Sequence, residues 1–66
     1  MRLMTYQETA NLLGLRLSTL YAMVSRGQIP HIRLGPRLVR FDADELHAWI
    51  SARRVEVRSP APTDAG

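Results

Sequence analysis

Gly14 and Gly27 bracket the stretch that most constrains this chain, Leu15-Arg16-Leu17-Ser18-Thr19-Leu20-Tyr21-Ala22-Met23-Val24-Ser25-Arg26. At 100° per residue, Leu17, Leu20, Met23 and Val24 fall on one side of a helix. Ser18, Tyr21, Ala22 and Ser25 fall on the other, with Arg26 beside them. A solvated helix face ordinarily mixes Glu with Lys. This one offers hydroxyls, a ring and small side chains but no acid, and so suits a polyanion. The two glycines stand where helices need a left-handed C-terminal residue. The spacing therefore predicts two short helices joined by a tight turn, which is a helix-turn-helix arrangement.

The rest of the chain must complete a core for that pair with little material. Sixty-six residues make one small domain, and with no cysteine neither a disulfide nor a thiolate metal site supplements the core. No apolar run approaches the ~18 residues of a membrane span. Met1 to Met4 is too short to be a signal peptide. A soluble protein with no membrane partner is expected.

Charge is distributed unevenly. All nine basic residues are arginine, and the 33 positions from Thr9 to Phe41 hold no acid but contain Arg16, Arg26, Arg33, Arg37 and Arg40. That segment carries +5 and the remainder −2 (four arginines against six acids), giving the net +3. Codon bias accounts for Arg in place of Lys, but not for the segregation of the acids. Basic charge gathered in one region is the electrostatic footprint of nucleic-acid binding.

Taken in order, Thr5-Tyr6-Gln7-Glu8 has capping-box spacing, followed by an apolar stripe of Tyr6, Ala10 and Leu13 with Leu12 on its flank. The first helix is predicted at about 5–13, its small Ala10 admitting close approach of a second at about 17–26. Leu15 is expected to plug the corner between them. Pro30 prevents further helix. His31-Ile32-Arg33-Leu34 and Leu38-Val39-Arg40-Phe41 alternate around Gly35-Pro36-Arg37, predicting a β-hairpin wing at about 31–41. Alternation turns Ile32 and Leu34 inward with Val39 and Phe41. Arg33 and Arg40 then share the outer face, and Arg37 sits at the tip. Asp42 and Glu45 are spaced as a capping box for a third helix at about 43–54, with Phe41 and Leu46 as its hydrophobic staple. Its stripe of Leu46, Trp49 and Ile50 is expected under the first two helices, and Arg53-Arg54 suits its C-terminal dipole. The reading is mainly α with a small β-hairpin: a winged helix-turn-helix domain over residues 1–55 and a disordered tail over 56–66, polar and proline-spaced.

The run of capped helix, Gly14, second helix, Gly27-Gln28-Ile29-Pro30, Arg33-Leu34-Gly35, Arg40-Phe41 and Leu46-His47-Ala48-Trp49-Ile50 resembles the excisionase family. The likeness covers roughly Leu3 to Ile50. These are small winged helix-turn-helix DNA-binding proteins, related in fold to the DNA-binding domain of MerR regulators. The resemblance implies double-stranded DNA as partner, with the second helix in the major groove and the wing along the adjacent backbone or minor groove. Family members act as recombination directionality factors, working with an integrase, or as small transcriptional regulators. It also implies a cytoplasmic location in a prokaryotic or phage-infected cell. An adaptor that binds protein through the same fold is the alternative from a different class.

Two positions depart from the family pattern. Where a Ser or Asp cap is usual stands Arg16, which cannot accept from a helix N-terminus. Either Ser18 caps a later start, or the end is left to water or phosphate. At a commonly basic position stands Ala22, so bidentate guanine recognition there is lost, leaving contact with a thymine methyl. Phosphate contacts and DNA shape are then expected to carry more of the recognition. The residues expected at DNA are Arg16, Ser18, Thr19, Tyr21, Ala22, Ser25, Arg26, Arg33, Arg37 and Arg40. Tyr21 is either a base reader or a partly buried ring resting on the wing. His31 and His47 lack metal-ligand spacing, and the serines and Thr19 lack a histidine-plus-carboxylate set, so no metal, cofactor or enzyme activity is expected. Without a long helix after Ile50, the chain is expected as a monomer that binds repeated DNA sites beside neighbouring copies of itself.

Overall fold

The Thr5 hydroxyl accepts from the Glu8 N–H at 3.1 Å, and Glu8 Oε1 accepts from the Thr5 N–H at 2.9 Å, so the capping box forms in full. It opens the first helix, α1 (Tyr6–Leu13), in a computed structural model that describes residues 1–55. The helix closes through Gly14 at φ 68°, where Leu15 N–H reaches the Ala10 carbonyl (2.9 Å) and Gly14 N–H that of Asn11 (3.3 Å). The second helix, α2 (Leu17–Ser25), closes identically: Gly27 has φ 66°, Gln28 N–H bonds the Met23 carbonyl (2.8 Å) and Gly27 N–H that of Val24 (3.0 Å). This paired 6→1 and 5→2 bonding is the Schellman ending, which satisfies carbonyls the helix would leave open.

Two residues near the N-terminus form a strand that periodicity did not reveal. This strand, β1 (Leu3–Met4), pairs antiparallel with the longer β3 (Leu38–Asp42), Leu3 opposite Asp42 and Met4 opposite Phe41. Ala43 N–H extends the ladder to the Arg2 carbonyl at 3.0 Å. The hairpin partner is β2 (Ile32–Gly35), so the antiparallel sheet runs β1-β3-β2. Two residues are too few to show an alternation, and only the pairing defines them as a strand. Among the described residues the fold is thus three helices with a small three-stranded sheet, the expected hairpin enlarged by one edge strand.

The hairpin's faces differ from simple alternation. Ile32 lies opposite Arg40 and Arg33 opposite Val39, after which the register shifts so that Gly35 meets Leu38. Leu34 is the extra residue of this bulge and is 54% exposed. Ile32 and Leu34 therefore do not join Val39 and Phe41, and Arg33 and Arg40 occupy opposite faces. An alternating stretch is readable only up to a register, and a one-residue slip reverses every face.

Leu20 and Val24 of α2, Ala10 of α1, Val39 and Phe41 of β3, Ile29, Met4 and Leu46 form the core. Leu15 is half-buried and lies outside that cluster. The third helix, α3 (Ala43–Ala52), is two residues shorter than expected and packs chiefly on β3 rather than beneath α1 and α2. Asp42 caps it by accepting from Asp44 N–H at 3.2 Å. Phe41 and Leu46, the expected staple, are both fully buried. Trp49 stays half-buried at the core's edge. The expected tail over 56–66 lies outside the described residues.

Candidate nucleic-acid interface

Burying Leu20 and Val24 turns the opposite side of α2 outward. Ser18, Thr19 and Ser25 are exposed, Tyr21 is half-exposed and Ala22 half-buried, with Arg16 and Arg26 exposed at the two ends. Arg16 is the cap residue (φ −72°, ψ 148°) and its side chain makes no capping bond. The helix starts at Leu17, so Ser18 lies in the first turn and does not cap. Of the two alternatives at this end, an end open to water or an anion remains. The first-turn N–H groups carry partial positive charge without a side-chain acceptor, and no acid lies in that turn.

Tyr21 keeps half its surface open and rests against α1. Its ring centroid is 4.4 Å from that of Tyr6 on α1, inclined at 49°. Tyr6 meets buried Phe41 edge-on at 5.3 Å. The amphipathic pattern had placed Tyr6 in the apolar stripe alone. No sequence signal pairs it with Tyr21, because the contact depends on how the two helices cross.

On the hairpin, Arg37 occupies the exposed turn with Pro36, which joins β2 to β3. Arg33 is exposed and its guanidinium reaches the Pro36 carbonyl at 3.5 Å. Arg40 stands apart: half-buried, it donates to its neighbour's carbonyl, Val39, at 2.8 Å. The Glu8 carboxyl is held below its usual range, first by the Thr5 N–H bond, then by the Thr5 hydroxyl and the positive charges of Arg2 and Arg40. The structure thus places Arg16, Ser18, Thr19, Tyr21, Ala22, Ser25 and Arg26 on or at the ends of α2, Arg33 and Arg37 exposed on the hairpin, and Arg40 half-buried on β3.

His31 Nδ1 lies 2.9 Å from the Ile29 carbonyl oxygen, a local bond that holds the chain entering β2. Among the described residues no group of three or more His, Cys, Asp or Glu could hold a metal ion. No described helix is long and apolar enough to cross a membrane.

A short helix pair with a glycine-closed turn, followed by a hairpin that extends past the core, defines a helix-turn-helix DNA-binding domain. The chain belongs to the helix-turn-helix domain family, whose pattern it matches over residues 3–54. It is also similar to the protein named Excisionase of Mycobacterium phage D29, at 38% identity over 42 residues, which is 64% of this chain and 75% of that protein. No solved structure matches the chain.

Proposed function

We propose that this chain is a duplex DNA-binding protein of the excisionase type, a non-catalytic recombination directionality factor that bends DNA for integrase-mediated excision. The observation that carries the reading is the acid-free outer face of α2, closed by exposed Arg16 and Arg26, together with the exposed Arg33 and Arg37 of the hairpin. The side-chain hydrogen bonds of Arg33 and Arg40 go to main-chain carbonyls rather than to a carboxylate. The similarity to the phage excisionase supports the recombination role over other uses of the fold.

In this reading, residues 1–55 are the DNA-binding unit and α2 lies in the major groove. Ser18, Tyr21, Ala22 and Ser25 meet base edges. Arg16, Thr19 and the open helix N-terminus take a phosphate, and Arg26 another. Arg33 and Arg37 follow the adjacent backbone or minor groove. Arg40 contributes charge to the basic region while its side chain is held on the Val39 carbonyl. One helix and one wing bury only ~600–1,000 Å² on DNA. Neighbouring copies on direct repeats about one helical turn (~10 bp) apart then supply the remaining affinity. A transcriptional regulator would make the same DNA contacts and differs only in its need for an integrase.

Binding to a duplex carrying direct repeats, measured across a salt series, tests DNA recognition. A steep loss of affinity with salt and cooperative multi-step shifts are expected. Weak, salt-independent binding would instead favour the protein adaptor. An excision assay with the cognate integrase then separates the two DNA readings, since a regulator leaves excision unchanged.

A further inference from the structure

We infer that Tyr6, a residue of α1 outside the reading helix, positions Tyr21 for sequence discrimination on DNA. The inference rests on the DNA-binding reading above. Tyr21 sits on the outer face of α2, three residues after Ser18 and four before Ser25, so all three project from one side of the helix. Half of its surface is open, and among the described residues no hydrogen bond engages its hydroxyl. A tyrosine so placed on an isolated helix exchanges among rotamers and meets a base edge in only some of them.

Here the ring is confined from below. Tyr6 approaches it to 4.4 Å between centroids, and Phe41 backs Tyr6 edge-on at 5.3 Å and 80°. Phe41 has no exposed surface and is pinned in β3 opposite Met4. Tyr6 is fixed as the first residue of α1, directly after the Thr5 cap. Three rings therefore run from the core to the reading face, and the outermost inherits the order of the innermost. The phenol hydroxyl is left free and held in one direction, so the entropy of ordering it is lost on folding rather than on binding DNA.

The test begins with a pool of random-sequence duplexes from which wild-type protein selects a preferred sequence. Affinity for the selected duplex and for the unselected pool is then measured for wild type, Tyr6→Leu, Tyr6→Phe, Tyr21→Ala and the Tyr6→Leu/Tyr21→Ala double variant. Tyr6→Leu and Tyr21→Ala are each expected to lower the preference for the selected duplex about tenfold, at the same base positions. The double variant should lose no more than either single, because one contact is removed by both routes. Tyr6→Phe keeps the ring and should retain the preference. Pool affinity and its salt slope should stay unchanged in Tyr6→Leu and Tyr6→Phe, whose altered side chain lies outside the reading helix.

Independent, additive losses, or a Tyr6→Leu protein with the full wild-type preference, would overturn the inference. So would a wild type that binds all duplexes alike. A wild type that binds no duplex would overturn the DNA-binding reading itself. Should Tyr6→Leu fail to fold, NMR of the free wild-type protein decides. A single Tyr21 χ1 rotamer with ring-to-ring contacts to Tyr6 is expected, and a rotamer-averaged Tyr21 would overturn it.

Discussion

The Arg53 guanidinium lies 4.1 Å from the centroid of the Trp49 ring and donates to the Trp49 carbonyl at 3.2 Å. One side chain thus covers an aromatic face and satisfies a carbonyl at the end of α3, where positive charge is favoured. Trp49 is an edge residue with a lid, not the centre of the core. Trp49→Ala is accordingly expected to cost about 2 kcal/mol, below the ~3–5 kcal/mol of a fully buried aromatic. Arg53→Ala is expected to cost about 0.5–1 kcal/mol. Leu46→Ala, at a fully buried position, should be the more damaging change. Urea melts of the three variants give the ranking, and a Trp49→Ala protein without a cooperative transition would place that ring in the core after all.

Thr9 is completely buried, and among the described residues its hydroxyl has no hydrogen-bond partner. Valine has nearly the same shape and β-branching without the polar group. Thr9→Val is expected to stabilise the fold by about 1 kcal/mol, the desolvation cost of an unpaired hydroxyl. A thermal melt reads this directly; a lowered midpoint would mean that the hydroxyl is satisfied in solution.

Gly14 adopts φ 68°, and a Cβ added there meets nothing within 4 Å. The position demands glycine for its backbone conformation rather than for space. Gly14→Ala should therefore cost about 1–2 kcal/mol, with Gly14→Asn milder. Equal losses for Ala and Asn would point to a steric cause instead.

Glu8 is fully exposed, yet its carboxyl titrates below the ordinary range because the ionised form accepts the Thr5 N–H. A folded-state value below the unfolded one means that the contribution is fully present above the ordinary carboxylate range. It is lost as pH falls through the folded value. Stability measured from neutral to acid pH should fall less steeply in Glu8→Gln than in wild type. Parallel curves would show that the capping bond does not discriminate between the two protonation states.

Arg37 is exposed in the hairpin turn. Arg37→Ala should weaken binding to every duplex alike and reduce the salt slope by about one unit, the signature of one lost phosphate contact. An unchanged slope would remove the hairpin tip from the DNA interface.

The features legible in the residues alone are local ones. The Thr5–Glu8 box, the glycine endings at Gly14 and Gly27, the buried side of α2 and the Asp42 cap each depend on groups within a helical turn or two. Their spacing along the chain therefore states them. The same holds for the outward face of α2, since packing Leu20 and Val24 leaves Ser18 and Ser25 no other direction. What tertiary structure decided lies between segments distant in sequence. Leu3–Met4 becomes a strand only because β3 offers it a ladder, and the bulge at Leu34 sets which hairpin residues share a face. By that register Arg33 and Arg40 part company, and by the crossing of α1 and α2 Tyr6 comes to lie under Tyr21. Register and helix crossing are chosen by the fit of whole surfaces, and periodicity within one segment carries no record of the surface it will meet.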